Sequence, residues 1–487
     1  MVESSAGGEL SRSEIAEAVS HDYSTSRTGS VPLDKRRSRY HFVALWITLA
    51  AGFTYLFLGF QYHDAGYSLG KAIGAGALGG LAYVVYAVPA AYLGSSTGQT
   101  HSLLARSILG RVGSALVSLL LIGIAAGWAA FAFNLLATLY DGLFSWGNVV
   151  PISVLLAVLG IANNLFGFTG IAAFARFVVA PVMVVWILFL VVRGWTEIPS
   201  AASSVPDSGA LPFVAGIGVA IGSVMWGNEP DTWRYGKPRR TWPIPPLVVA
   251  VVIGLVLFVA GGWMMAELSG AGQYDFGPAF RYVVGYSLFG ALWLGAIVAT
   301  VLQVAINDGN YYEMVNAGQN LVGHARGWQR WHTCLVMAVV AALFAWWFPH
   351  LENGFFTVAG WSSIALPSAT VVMCVDRFML RRLTRLDRPV TRIPTWRDAA
   401  TANWAGIVAV LVAVLFGAWG QGLLPGQEST PSAGLVPVEA WLLAGVLYAG
   451  LATVVARIPN ATVMLGFARP LRAAQAAEPA LEGDAPS

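Results

Sequence analysis

The chain has 487 residues, 56% of them apolar and only 11% charged, with a formal net charge of +3 and a mean hydropathy of +0.64. A soluble domain carries about 25% charged and about 45–50% apolar residues. The excess excludes a soluble enzyme, a nucleic-acid binder and a disordered chain, and leaves a polytopic membrane protein.

Residues 1–40 are polar and contain no apolar core of a signal peptide, so they predict an N-terminal tail. A helix needs about 20 apolar residues to cross a bilayer. Twelve such stretches follow, at 41–60, 69–94, 113–140, 149–166, 171–193, 210–229, 244–266, 283–316, 331–349, 354–376, 402–424 and 437–456. They are referred to below as spans 1 to 12. Long unalternated runs such as Leu247–Ala260 argue against a barrel of short alternating strands. A tail, 458–487, closes the chain; its last fifteen or so residues, rich in Ala, Glu and Pro, read as disordered. The membrane domain is thus 41–457. It divides into halves at about 41–193 and 210–376, followed by two extra spans at about 402–456.

Span 1 has a weak middle at Thr48–Gly52, then Phe53 and Thr54. Span 2 carries Gly70, Gly74, Gly76 and Gly80 at four-residue intervals, a pattern that lets helices approach closely. Span 3 holds Trp128, about fifteen residues in, too deep for the interfacial aromatic belt. Packing and a stacking plate for a flat ligand are both open for it, and Asn134 lies six residues further on. Span 6 has Gly216, Gly218, Gly222 and Ser223 before Trp226-Gly-Asn-Glu-Pro-Asp231. Gly-interrupted spans at corresponding places in two halves point to a transporter of inverted repeats, in which broken helices line a cavity with backbone polar groups. The competing reading is that these glycines serve packing alone.

Span 8 contains Gln303, Asn307, Asp308, Asn310 and Glu313. Gln303, Asn307 and Asn310 fall on one helical face, with Asp308 about 100° round from Asn307. An Asp at membrane depth costs about 2.5–3.5 kcal/mol and is a functional candidate by default. Its alternative is a structural role, capping a broken helix or pairing with a basic loop. Glu313 reads as solvated or salt-bridged.

Cys334 and Cys374 fall in apolar runs and read as free thiols. His63, His101, His324, His332 and His350 share no metal-ligand spacing. No nucleotide-binding loop is present. No metal centre, cofactor or enzymatic activity is expected. No selectivity-filter stretch favours a channel. With the N-terminus cytoplasmic, 25 of the 28 basic residues fall on the cytoplasmic side. Only Lys71, Arg193 and Arg281 fall outside. That asymmetry predicts both termini inside.

These residues carry a resemblance. Thr97-Gly98 with Leu103-Leu104-Ala105-Arg106, Gly110, Gly113-Ser114 and Gly127-Trp128 are similar to the span 2–3 region of the nucleobase–cation symporter family. Within that family the likeness is to the bacterial purine–cytosine permease branch. Phe166-Gly167 with Pro181 continues it, as do Asp231 with Arg234-Tyr235-Gly236, Asn307-Asp308, Asp376 with Arg381-Arg382, and Asn403-Trp404. The likeness runs from about residue 38 to 457.

It implies an all-α fold of two inverted five-helix repeats, LeuT-like, plus two C-terminal helices in the cell membrane. It further implies alternating access with symport of a nucleobase such as cytosine or a purine. Hydantoins, allantoin, hydroxymethylpyrimidine and other vitamin precursors are alternative substrates. A monomer suffices, with the heterocycle and the lipid bilayer as partners and no nucleic acid. The resemblance places Trp128 as the stacking residue, Ser223 or Trp226 as a second wall, and Gln303 and Asn307 as hydrogen-bonding groups. For the coupling cation, H+ or Na+, it points to the Thr48 and Ala51 carbonyls. The two span 8 hydroxyls of sodium-coupled members correspond to Ala305 and Ile306, which leaves Asp308 or Glu313 as proton carriers or Asp308 in a displaced sodium site.

Overall fold

The computed structural model describes residues 30–49, 52–166, 171, 175–198, 211–224, 227, 229–272, 276–351, 354–388, 393–427 and 434–467. Most of residues 1–40, the last twenty residues, Ala51 and Trp226 therefore lie outside the described residues. Helices make up the described chain, with one isolated bridge, Asn403 to Leu465.

Span 1 is two helices, α1 (Arg39–Leu49) and α2 (Phe53–Asp64), bent by 48°. Then come α3 (Leu69–Thr97), α4 (His101–Phe144), α5 (Val149–Leu159), α6 (Ala180–Glu197), α7 (Phe213–Val224) and α8 (Glu229–Trp233). The second half continues with α9 (Ile244–Ser269), α10 (Phe276–Ser287), α11 (Leu292–Val322), α12 (Arg330–Trp347) and α13 (Gly354–Thr384). α14 (Trp404–Gly420) and α15 (Val436–Val455) complete the bundle.

Among the described residues, eight helices are long and apolar enough to cross a membrane, and the bent pair makes a ninth. Shorter apolar helices at Val149–Leu165, Phe213–Val224 and Trp404–Gly420 stand where spans 4, 6 and 11 were expected. Exposed Leu81, Val85, Leu119, Val185, Leu343 and Val446 form the apolar outer surface that lipid requires and water would penalise.

Two expectations need correction. Span 8 was placed at 283–316, across what the structure shows to be two helices. Phe289 and Gly290 take left-handed φ values of 56° and 72° and end α10, so the membrane helix is α11 at Leu292–Val322. Hydropathy alone joins the two because both flanks are apolar. The span 2 glycines also divide. A Cβ on Gly76 would sit 2.0 Å from the Leu255 carbonyl oxygen and one on Gly80 2.2 Å from Val251 Cγ1, whereas Gly70 has nothing within 4 Å.

The helix contacts have a two-fold logic. α2 packs on α9 and α3 on α7; these are span 1 with span 7 and span 2 with span 6. Exchanging each span with the one five further on converts the first pair into the second. α4 with α11 and α5 with α12, spans 3 with 8 and 4 with 9, map onto themselves. Contact of α2 and α9 is backbone-close. A Cβ on Gly59 would meet the Val259 carbonyl oxygen at 2.3 Å, and one on Gly262 the Leu56 carbonyl oxygen at 2.0 Å.

At the end bearing the Arg-rich loops, Asp376 of α13 is buried and held by Arg388 Nε at 2.9 Å and Nη2 at 3.1 Å. The Tyr448 hydroxyl of α15 donates to the same carboxylate. Arg388 also donates to the carbonyls of Ser107, Leu465 and Gly466. One ion pair thus ties α4, α13, α15 and the last described residues. Arg36 does similar work for the N-terminal segment, donating to the carbonyls of Ser95, Arg234 and Gly236. Burial, then the neighbouring Arg234, bring its guanidinium down to about 10.

Candidate functional site

The two helix breaks fall in spans 1 and 6, at Gly52 and Gly227. Gly52, extended at φ −175°, caps α2 and turns toward α11, where its position lies 3.5 Å from Ile306 Cδ1 and 3.7 Å from Gln303 Oε1 as a Cβ would see them. Gly227 stands in the break between α7 and α8 at φ 75°, and a Cβ there would meet Leu366 Cβ at 2.3 Å. Only glycine fits both the left-handed backbone and the close approach.

Between these breaks lies a cavity of about 260 Å³ lined by Thr54, Trp128, Ala132, Ser223, Ile306 and Asn310. It draws on α2, α4, α7 and α11, that is, on spans 1, 3, 6 and 8. Two larger cavities lie toward the ends of the bundle. One of about 520 Å³ is bounded by Gln61, Tyr62, Asp64, Leu211 and Phe356. The other, of about 430 Å³, lies by Thr97, Ser107, Asp376, Arg381 and Arg388. Neither touches the breaks, so the small central cavity is the candidate site.

Trp128 is held in place. Its indole N–H donates to Ser362 Oγ of α13 at 2.7 Å, and Ser362 in turn donates to the Val358 carbonyl at 2.7 Å. Phe131 and Phe355 meet its ring edge-on, with centroids at 6.0 and 5.9 Å. A fixed aromatic plate on a polar cavity can stack on a flat ring. Ser223 Oγ donates to the Val219 carbonyl at 2.8 Å, which leaves its lone pairs toward the cavity.

The α11 amides form a ladder. Gln303 Nε2 donates to the Ala132 carbonyl at 3.2 Å, and its buried Oε1 has no hydrogen-bond partner. Asn307 Nδ2 donates to the Gln303 carbonyl at 2.9 Å, and its Oδ1 accepts from Asn310 Nδ2 at 3.0 Å. Asn310 is the member that lines the cavity; Asn307 positions it. Thr48 Oγ1 is engaged with the Ala44 carbonyl at 2.9 Å, one turn before the break. Asp308 lies apart from the cavity and faces Asn163 and Asn164 beyond α5.

Sequence reasoning named Thr54 only as following the weak middle of span 1, and left out Ser362, Asn163 and Asn164. Asn310 had been visible on the face of Gln303 and Asn307. Ser362 gave no signal, because a serine in an apolar run is ordinary until its partner across the bundle is known.

A second polar network lies toward the Arg-rich end. Asp231 of α8 accepts from the His101 N–H at 2.9 Å and from Asn316 Nδ2 at 2.8 Å. His101 Nε2 meets Thr370 Oγ1 at 2.9 Å, and Thr370 donates to the Gly227 carbonyl at 2.6 Å. Glu229, also buried, accepts from the Tyr86 hydroxyl at 3.1 Å. The short helix after the break is thereby tied to α3, α4, α11 and α13.

Residues 31–443 match the family described as permease for cytosine/purines, uracil, thiamine and allantoin. The chain belongs to this family. Relatives include the cytosine permease of Escherichia coli strain K12, 26% identical over 390 residues that make up 76% of this chain and 86% of the relative. The cytosine permease of Escherichia coli O157:H7 is 25% identical over the same shares. Among solved structures, Mhp1, a nucleobase-cation-symport-1 family transporter in a closed conformation with bromovinylhydantoin bound, superposes with a TM-score of 0.70. The identity is 18%, over 90% of this chain and 98% of Mhp1. The substrate-bound outward-open state of a sodium-coupled sialic acid symporter aligns at TM-score 0.60 and 11% identity, over 91% of this chain and 95% of that one. The fold is therefore the all-α, LeuT-like transporter fold of a multi-pass membrane protein.

Proposed function

We propose that the protein imports a nucleobase, or a closely related flat heterocycle, by cation-coupled alternating access. The observation that carries this is the central cavity, lined by the held Trp128 plate, by Thr54 just after the span 1 break, by Ser223 just before the span 6 break, and by Asn310. The family and the cytosine permease relatives supply the substrate class. In this reading the ring stacks on Trp128, and its donor and acceptor edge meets Asn310, Ser223 and the free Oε1 of Gln303. Trp226, outside the described residues, remains a proposed second wall, and the carbonyls of Thr48 and Ala51 remain proposed cation contacts.

The proposed coupling cation is the proton. A hard cation needs several oxygens, yet beside Gly52 α11 presents the Ile306 methyl group and a single side-chain oxygen, Gln303 Oε1. Ala305, next to Ile306, adds none. Both tails and the Arg-rich 377–400 loop are proposed to be cytoplasmic. Uptake of labelled cytosine by whole cells, competed by purines, uracil, hydantoin and allantoin, tests the substrate. Uptake and competition by at least one of these rings support the reading, and absence of uptake for all of them refutes it.

A further inference from the structure

Asp308 stands midway along α11, 1% exposed. Its Oδ2 accepts from Asn163 Nδ2 at 2.6 Å, and its main-chain carbonyl accepts from Asn164 Nδ2 at 3.2 Å. Both asparagines belong to the single 3-10 turn Ala162–Phe166 that follows α5. Two buried oxygens in this contact have no hydrogen-bond partner: Asp308 Oδ1 and Asn164 Oδ1. Asn164 is anchored by its amide nitrogen to Asp308's main-chain carbonyl. Among the described residues no basic side chain pairs with Asp308, in contrast to Asp376 with Arg388.

An ionised carboxylate in this setting is shut off from bulk solvent and has no counter-charge among the described residues. Buried charges are paired or neutralised. A single proton on the unpartnered Asp308 Oδ1 cancels the charge and leaves Oδ2 to accept from Asn163. A metal cation fits less well, since two uncommitted oxygens fall short of a hard ion's shell.

We propose that Asp308, Asn163 and Asn164 form the binding site of the coupling proton, on the opposite side of α11 from the substrate cavity. This rests on the symporter reading above. The Oδ1–H bond forms with a proton taken from water at one membrane face and breaks to water at the other; no electrons move. α11 itself links the two sites, because Asn307, next to Asp308, holds Asn310 at the cavity.

Two other titratable groups lie close by on α11. Tyr311 donates its hydroxyl to the Ala157 carbonyl of α5. Glu313, expected to be solvated or salt-bridged, is instead buried with an unpartnered Oε1, and it lies within electrostatic reach of Asp231 and Glu229 rather than of the two asparagines. No charged side chain in the described parts of α1, α2, α4, α5, α10 or α12, which pack around α11, interacts with Asp308; the turn Ala175–Val179 also packs on α11, and the side chain of its Arg176 lies outside the described residues.

The test uses full-length purified protein and Asp308→Asn. The substituted amide keeps the acceptor for Asn163 and leaves no ionisable group in this buried place, so the variant should fold and melt no lower than wild type. The infrared spectrum of wild type should contain a deuterium-sensitive band of a protonated carboxylic acid that the variant lacks. Identical spectra in that region would overturn the proposal, whether or not the variant transports. In proteoliposomes, both proteins should exchange labelled cytosine, while accumulation driven by an inward proton gradient should fall at least tenfold in the variant. Undiminished proton-driven accumulation by Asp308→Asn, or wild-type accumulation that follows sodium and ignores the pH gradient, would also overturn it. Failure of the substrate reading looks different: wild type then exchanges none of cytosine, hypoxanthine, uracil or hydantoin, while the infrared comparison still decides the protonation of Asp308.

Discussion

Trp128 owes its proposed role to its angle as much as its ring. An indole free to rotate would give up part of its stacking energy as lost rotamer freedom, and the bond to Ser362 has fixed it in advance. Trp128→Ala should therefore weaken heterocycle binding by about 1–3 kcal/mol, the range for aromatic–base stacking, and Trp128→Phe should recover part of it. Ser362→Ala should cost less, about 0.5–1.5 kcal/mol for one lost hydrogen bond, while leaving Trp128 present. Equilibrium binding of labelled cytosine to the purified variants checks both. A Trp128→Ala protein that binds as wild type does would return the residue to plain packing. At this scale the sequence was legible where membrane depth made a residue expensive or odd, as with Trp128, Gln303 and Asp308. It was silent on partners brought in by tertiary contact. Asn163 and Asn164 stand at the end of a short span, where asparagines are unremarkable, and only the fold sets them against Asp308.

Among the elements, the glycines sort by what a methyl group would strike. Gly262→Ala drives a Cβ into the Leu56 carbonyl oxygen at 2.0 Å, and backbone cannot yield as a side chain tip can. Overpacking of this kind costs about 1–3 kcal/mol, so the variant should melt lower and express poorly. Gly70→Ala meets nothing within 4 Å and removes a flexible residue from α3, so it should be neutral or stabilising by about 0.5–1 kcal/mol. Thermal unfolding of the two detergent-purified variants checks the contrast; equal melting points would contradict it. The sequence pattern had given all four span 2 glycines the same packing role. Spacing identifies a face but not which neighbour lies against it. The same limit explains span 8, where an apolar turn at Phe289-Gly290 hid the boundary between α10 and α11.

Over the whole molecule, charge and contacts lead to the same architecture by separate routes. Composition alone excluded a soluble fold, and twelve apolar stretches with weak middles in spans 1 and 6 announced a repeat of five. The exchange of span 1–7 contacts for span 6–2 contacts is the structural form of that repeat. Orientation rests on charge. The arginines of the 377–400 loop, the 234–240 turn and the N-terminal segment gather at one end, and short loops rich in Lys and Arg stay cytoplasmic. The turn between α4 and α5, at Ser145–Asn148, is exposed, carries no basic residue and lies at the opposite end. In a background where Cys334 and Cys374 are replaced by alanine, Asn148→Cys should react with a membrane-impermeant maleimide added to intact cells. Arg397→Cys, exposed in the Arg-rich loop, should react only after the membrane is permeabilised. The reverse pattern would invert the molecule, and with it the side from which Asp308 takes its proton, while leaving the cavity and its two broken helices as they are.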